Sequence, residues 1–244
     1  MKSIPRFFWP NFHFTKNQIA LLPDSIGLHA VRVLRLKTND FLTFFNGSGC
    51  EFLAKIIRIS GKKIEIEILQ VVEKSVENSL LITLIVPILS GNKMDFLIQK
   101  ATELGAFQIQ PILCVRGVLK LSSERLKIRQ QHWQSVAVSA CEQCGRNQIP
   151  NILPTLNLHQ ALLKTPDDAA KILFLPNSHK TLRDVVFQKK ICLLTGAEGG
   201  LDDSEIQSAK ECGFVPCRLG ARILRAETAP IAALAALNVL GGDF

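Results

Sequence analysis

From residue 80 onward the sequence repeats one rhythm: a short apolar run, a turn, a helix-length segment and a glycine. Residues 80–86 read as a buried strand, 94–104 as a helix closed by Gly105, and 107–115 as the next strand. A long helix follows from Ser122 or Ser123 to Cys144, ended by Gly145. Residues 158–163 read as helical, and 171–175 and 191–195 as strands. Asp202 stands three residues before Glu205, the spacing of a capping box, and Gly213 supplies the stop of that helix. Residues 214–219 form the last strand, and the final helix carries Pro230 in its first turn and runs to about Leu240. Parallel strands need crossovers long enough to hold a helix, so alternation of this kind specifies an α/β domain built on a parallel sheet.

The first seventy or so residues obey a different period. Residues 41–45, 52–59 and 63–72 are β-like, and the last alternates plainly. Ile64, Ile66 and Ile68 fall on one face, Glu65 and Glu67 on the other. Asn46-Gly47-Ser48-Gly49 and Ser60-Gly61-Lys62 supply the turns, and short antiparallel strands with tight turns predict a small β-barrel. A short helical stretch precedes them at residues 29–36, and a polar bridge at 73–79 separates the two regions. The expected domains are therefore 1–72 and 73–244.

The chain has 244 residues, enough for two cores, and 47% of them are hydrophobic, the balance of a soluble globular protein. Its formal charge of +8 favours an anionic partner such as nucleic acid. No apolar run reaches membrane-spanning length, and the N-terminus lacks the apolar core of a signal peptide. The seven cysteines have no framework-like spacing, so reduced thiols and a cytoplasmic location are expected. Residues 231–237 of the final helix carry no charge on any face, so that helix is either central in the monomer or part of a subunit interface.

Two glycine-marked loops follow strands near the C-terminus, where open parallel sheets bind ligands. The first reads Gly196-Ala197-Glu198-Gly199-Gly200. The second, Leu219-Gly220-Ala221-Arg222-Ile223-Leu224-Arg225-Ala226-Glu227-Thr228, ends in arginines and a carboxylate. Neither has the spacing of a dinucleotide fingerprint, and Ser90-Gly91-Asn92-Lys93 lacks the spaced glycine of a P-loop. An ordinary strand-to-helix turn would explain the first loop taken alone. Arg222, Arg225 and Glu227 are harder to set aside, because charges beside an apolar strand end and a buried helix cost solvation unless they meet partners or a ligand. The plain alternative is a surface pair between Arg225 and Glu227.

Cys141-Glu142-Gln143-Cys144 closes the long helix, but a lone C-x-x-C at a helix end is a weak metal or redox signal, and no metal is expected. The neighbouring Glu142, Gln143, Arg146, Asn147 and Gln148 offer donors and acceptors suited to a nucleotide. In the first domain Arg32 and Arg35, three apart, would share a helical face beside His29. With Lys55, Arg58, Lys62 and Lys63 they fit a phosphate-contacting surface or, equally, a solvated basic face.

These segments, in this order, resemble the SPOUT methyltransferases. Within them the chain is similar to the family of bacterial enzymes that methylate N3 of a uridine in 16S ribosomal RNA. The resemblance rests on His29-Ala30-Val31-Arg32-Val33-Leu34-Arg35, on residues 93–105, on Ala140-Cys141-Glu142-Gln143-Cys144-Gly145-Arg146-Asn147, and on the paired loops. Two positions depart from the family pattern. Ala197 stands where the family has proline, and Ala226 where it has threonine, so no role for that hydroxyl carries over.

The resemblance implies an N-terminal PUA-like barrel, a SPOUT domain with a trefoil knot, a homodimer, and S-adenosylmethionine as cofactor. It places the cofactor against Leu175, Leu194, Gly196, Gly199, Gly200, Leu219, Gly220, Ile223 and Leu224. Catalysis would draw on Arg225 or Arg222 as the cation and on Glu198 or Glu227 as proton acceptor or orienting group. RNA contacts fall to His29, Arg32, Arg35, Glu142, Gln143 and Arg146, with 16S ribosomal RNA or the assembled small ribosomal subunit as partner. Competing readings are a methyltransferase acting on another base or a ribose 2′-OH, and a non-catalytic RNA-binding factor of the same fold.

Overall fold

The computed structural model of the protein describes residues 4–10, 12–117, 121–186 and 188–244. The chain divides into two compact units: Met1–Glu77 with Cys141–Ile149, and Asn78–Ala140 with Pro150–Phe244.

The first unit holds β1 (Arg6–Phe8), β2 (Ile19–Leu21), α1 (Asp24–Leu28), β3 (Phe41–Phe45), β4 (Cys50–Ser60) and β5 (Lys63–Glu73). They form a five-stranded sheet in the order β1-β3-β4-β5-β2. The alternation of β5 works as its sequence requires: Ile64, Ile66 and Ile68 are buried against Leu42, Phe44, Phe52 and Ile56. Register shifts between Leu53 and Ala54 and between Ile56 and Arg58 interrupt the long β4–β5 hairpin, and bulges of this kind bend a strand and raise its twist.

Two expectations change here. The sheet is mixed rather than antiparallel throughout, because β1 pairs parallel with β3. The three residues of β1, set between Pro5 and Pro10, are too few for a period to declare itself. The helical stretch also begins earlier and ends earlier than residues 29–36. α1 starts at Asp24 and runs into one π-helical turn, His29–Val33. Leu34 N–H bonds to the His29 carbonyl and Leu36 N–H to the Ala30 carbonyl, while Arg35 takes a left-handed φ of 56°. Arg32 and Arg35 therefore do not share a helical face.

The second unit carries β6 (Leu81–Pro87), α2 (Lys93–Glu103), β7 (Gln108–Leu113), β8 (Asn151–Ile152), β9 (Leu156–Asn157), α4 (Leu158–Leu163), β10 (Ala169–Phe174), β11 (Lys190–Leu194), α5 (Asp203–Glu211), β12 (Val215–Cys217) and α6 (Thr228–Gly241). The long helix α3 (Ser123–Cys144) gives its last turn to the first unit. The strands form a seven-stranded sheet in the order β12-β10-β11-β6-β7-β8, with β9 paired to β7. Each of its described pairings is parallel. β6 and β11 lie inside this order, and Leu84, Ile85, Leu193 and Leu194 are almost wholly buried. β8 and β9, two residues each around Pro154, carry no readable period.

The caps match their sequence signals. Asp202 Oδ1 accepts from Ser204 N at 2.8 Å and Glu205 Oε2 accepts from Asp202 N at 2.8 Å, completing the capping box of α5. The final helix buries only one stripe: Pro230, Ala233, Leu234, Leu237 and Asn238. Asn238 Nδ2 donates to the Leu104 carbonyl at 2.9 Å and its Oδ1 accepts from Asn78, joining α6 to the end of α2 and the approach to β6. On the other side Ala232 and Ala235 are half-buried, and Val239 and Leu240 are exposed. Within the chain, then, α6 is not covered all round. Among the described residues no helix is long and apolar enough to cross a membrane.

Candidate active site

Strands β12, β10 and β11 are neighbours and parallel, so the loops leaving their carboxyl ends gather on one edge of the sheet. They enclose a cavity of about 440 Å³. Leu175 and Pro176 come from the loop after β10, Thr195, Gly196, Ala197, Glu198, Gly200 and Leu201 from the loop after β11, and residues 218–220 and 222–227 from the loop after β12. Lys93 at the start of α2, Phe174, Cys217 and Ala229 complete the wall. The wall thus combines apolar side chains with glycine backbone and a rim of arginines.

Glycine is needed here for two separate reasons. At Gly196 an added Cβ would come within 3.1 Å of the Gly200 backbone, so a side chain would push the two limbs of the loop apart. At Gly200 the φ of 74° lies in the left-handed region that side-chain-bearing residues rarely adopt. The loop closes on itself through Gly200 N–H to the Ala197 carbonyl at 2.9 Å. The helix signal after it, the Asp202 cap, fixes where it ends.

Two polar atoms of this wall are buried with no hydrogen-bond partner among the described residues: Thr195 Oγ1 and Glu227 Oε2. Leaving such a group unsatisfied costs roughly 1–3 kcal/mol, and more for a charged one. A ligand that hydrogen-bonds there would remove the penalty. Glu227 forms no ion pair with Arg225 among the described residues, so the surface-pair alternative is not what holds it. Arg218, Arg222 and Arg225 are exposed at the rim, and Ile223 between them is 85% exposed.

Glu198 has a different environment. Its Oε1 accepts from Lys93 Nζ at 3.1 Å and from Ser90 Oγ at 3.3 Å. Burial pushes its pKa up, but hydrogen bonds from its own backbone and from Lys93, with the Lys93 charge, outweigh this and hold it below the usual carboxylate value. It is an anion at neutral pH and a poor proton acceptor.

The structure brings most of the expected cofactor residues together: Leu175, Gly196, Gly200, Leu219, Gly220, Ile223 and Leu224 line the cavity, with Arg222, Arg225, Glu198 and Glu227. Leu194 is buried in β11 and Gly199 meets Arg116; neither is on the cavity wall. The residues expected to touch RNA belong to the first unit and do several different things. Arg146 is only 5% exposed, and its Nε and Nη2 both donate to Glu77 Oε2, at 2.9 and 2.6 Å. Glu142 Oε1 accepts from Phe8 N at 3.0 Å, and burial raises its pKa despite that bond and the nearby His29 and Arg6 charges. His29 sits edge-on to Phe7 with ring centroids 5.6 Å apart, and its side chain, like Gln143, Arg32 and Arg35, reaches solvent.

A family model described as an RNA methyltransferase domain matches residues 76–238, and one described as an RNA methyltransferase PUA domain matches residues 22–69. Ribosomal RNA small subunit methyltransferase E of Buchnera aphidicola subsp. Acyrthosiphon pisum is 36% identical over 244 residues, covering 100% of this chain and 96% of the relative. The chain belongs to the ribosomal RNA small subunit methyltransferase E family. Solved relatives agree in fold. The Neisseria gonorrhoeae family member bound to S-adenosyl methionine is 40% identical with a TM-score of 0.93, covering 99% of this chain and 100% of that one. A Legionella pneumophila methyltransferase, solved in complex with the bound cofactor SAM, is 35% identical with a TM-score of 0.94 at the same coverage. The fold class is therefore the SPOUT α/β class with an N-terminal PUA domain.

Among the wall residues, Thr195, Phe174, Pro176 and Arg218 were not singled out by sequence, and Lys93 appeared only within a longer segment. Thr195 carried a usable signal: it is the first polar residue after the apolar run of β11, at the carboxyl end of a central parallel strand. Lys93 carried none, because its partner Glu198 lies 105 positions away.

Proposed function

We propose that the protein transfers a methyl group from S-adenosylmethionine to N3 of a uridine in 16S ribosomal RNA, at the cavity beyond β10, β11 and β12. The observation that carries this reading is the pair of unsatisfied buried atoms, Thr195 Oγ1 and Glu227 Oε2, in a cavity walled by two glycine loops. The S-adenosyl methionine in the 40%-identical relative supports it.

The residues fit that cofactor. Phe174, Leu175, Leu201, Leu219 and Leu224 offer apolar faces for a purine and a thioether, and the bare backbone at Gly196 and Gly220 permits close approach. When bound, S-adenosylmethionine supplies an electrophilic methyl on a sulfonium. The protein's own groups must handle the uracil. Its N3–H is a poor nucleophile; with a pKa roughly two to three units above neutral, forming the anion costs about 3–4 kcal/mol. Arg225 and Arg222, at the rim, stabilise charge developing on the uracil carbonyl oxygens. Glu227 accepts the proton or orients the ring, since one of its oxygens has no other partner. Glu198, already held as an anion by Lys93, shapes the loop instead. Leu194 and Gly199 act through the strand and loop they belong to.

The remaining parts of the reading follow the family. Residues 1–72 serve as the PUA-like RNA-binding domain and 73–244 as the methyltransferase domain, with Arg32, Arg35, His29 and Gln143 facing flanking RNA. Arg146 and Glu142 serve the first unit itself and reach RNA only through its shape. The trefoil knot belongs to the second unit, as the family resemblance implies. A homodimer is supported by the apolar outer side of α6, where Val239 is 68% exposed. Work on ribosomal RNA places the enzyme in the cytoplasm.

Incubation with methyl-labelled S-adenosylmethionine and small ribosomal subunits, followed by nucleoside analysis, tests the reaction. Labelled 3-methyluridine is the expected product. Label on a ribose or on another base would replace the chemistry, and RNA binding without label would favour a non-catalytic role.

A further inference from the structure

The loop at residues 196–200 contains three glycines in five positions and has one internal backbone bond. A segment with so much backbone freedom loses entropy when ordered and needs restraint from outside. Two cations from separate parts of the chain, one opening α2 and one in the loop after β7, supply it on successive residues. Lys93 Nζ reaches Glu198 Oε1 at 3.1 Å, joined by Ser90 Oγ at 3.3 Å on the same oxygen. Arg116, which follows β7, donates from Nη1 to the Gly199 carbonyl at 3.3 Å. Its side-chain stem lies against Gly199, where an added Cβ would stand 3.4 Å from Arg116 Cβ.

The electrostatics favour the same arrangement. Lys93 is the first residue of α2, at the positive end of a helix, where a cation is unfavourable by itself. The Glu198 carboxylate compensates both the helix end and the lysine. Removing Lys93 would leave Glu198 without its ion pair, and removing Glu198 would leave a lysine repelled by its own helix.

We propose that Lys93 and Arg116 are positioning residues that brace the 196–200 loop in its ligand-ready shape, Lys93 acting through Glu198 and Arg116 through the Gly199 carbonyl. Only the ligand-binding consequence rests on the cofactor reading above; the bracing itself is a property of the ligand-free chain.

Hydrogen exchange on the ligand-free protein tests the brace first. In Lys93→Ala and in Arg116→Ala, amides of residues 197–201 should exchange about ten-fold faster, while those of β6 and β11 keep their wild-type rates. Unchanged loop exchange in both variants would overturn the proposal. Titration with S-adenosylmethionine then reads the consequence. Each variant should raise Kd by about three- to ten-fold. Lys93→Arg should restore both. Lys93→Ala combined with Glu198→Ala should be no weaker than either alone, because both remove one interaction. If Lys93→Ala weakens binding just as much in the Glu198→Ala background, Lys93 acts on the ligand directly and the proposal fails. Wild-type protein that binds no S-adenosylmethionine would end the cofactor reading while the exchange result still decided the brace.

Discussion

Two charged clusters stand out in this sequence, one after the long helix around Glu142 and Arg146, the other around Arg222, Arg225 and Glu227. Their chemistry in the folded chain is opposite. In the first unit Arg146 is buried and bidentate to one oxygen of Glu77, whose other oxygen accepts from Gln148 N at 3.2 Å, while Asn147 Nδ2 donates to the Lys74 carbonyl at 2.8 Å. Arg6 adds bonds to Glu51, to Asn147 Oδ1 and to the Arg146 carbonyl, while its Nε is buried without a partner among the described residues. In the second unit the arginines are exposed around a cavity, and Glu227 and Thr195 keep buried atoms unsatisfied. Charge clustering alone does not identify a binding site. Unsatisfied buried atoms that line a cavity do.

The sharpest way to break this contrast is Arg146→Ala. It strands Glu77 without its partner in a largely buried position, and a loss of about 3–5 kcal/mol is expected, read as a large fall in melting temperature. S-adenosylmethionine affinity measured on the folded fraction should be unchanged. Arg225→Ala should do the reverse: about 100-fold lower kcat/KM in the methylation assay, with melting within a degree or two of wild type. Gly196→Ala should weaken S-adenosylmethionine binding about ten-fold by calorimetry, because the new Cβ meets the Gly200 backbone. Arg32→Ala with Arg35→Ala should lower RNA affinity at low salt and flatten the log–log salt dependence by about 1 to 2, leaving cofactor binding alone.

The smallest effect is expected at Glu142. Burial raises its pKa, so folding favours the protonated form, and that contribution is present at low pH and lost as pH rises through the folded-state value. Glu142→Gln should therefore melt at or slightly above the wild-type temperature at neutral pH, with the difference closing as pH falls into the carboxylate range. A marked loss at neutral pH would mean that the carboxylate's charge matters where it stands.

Local signals in the sequence translated well into structure. Ile64, Ile66 and Ile68 declared their buried face by period, and Asp202 with Glu205 declared a cap by spacing, because both depend on neighbours a few positions away. The paired loops were legible for the same reason, as glycines after apolar strands. Long-range pairings were not. Nothing around Arg146 names Glu77 as its partner, and nothing around Lys93 names Glu198. The pairing of β1 with β3 is hidden in three residues, and the left-handed turn at Arg35 replaces the helical face its spacing implied. That Thr195 Oγ1 and Glu227 Oε2 are unsatisfied is a property of the whole cavity, visible only once three strand ends are side by side.

A crystal structure of the protein with S-adenosylmethionine would show whether this cavity holds the cofactor. The cofactor is expected beyond the ends of β10, β11 and β12, against Leu175, Gly196, Leu219 and Leu224, with the Glu227 and Thr195 oxygens facing the cofactor or the space left for uracil. Cofactor bound elsewhere, with that cavity empty and both oxygens still unpartnered, would contradict that placement.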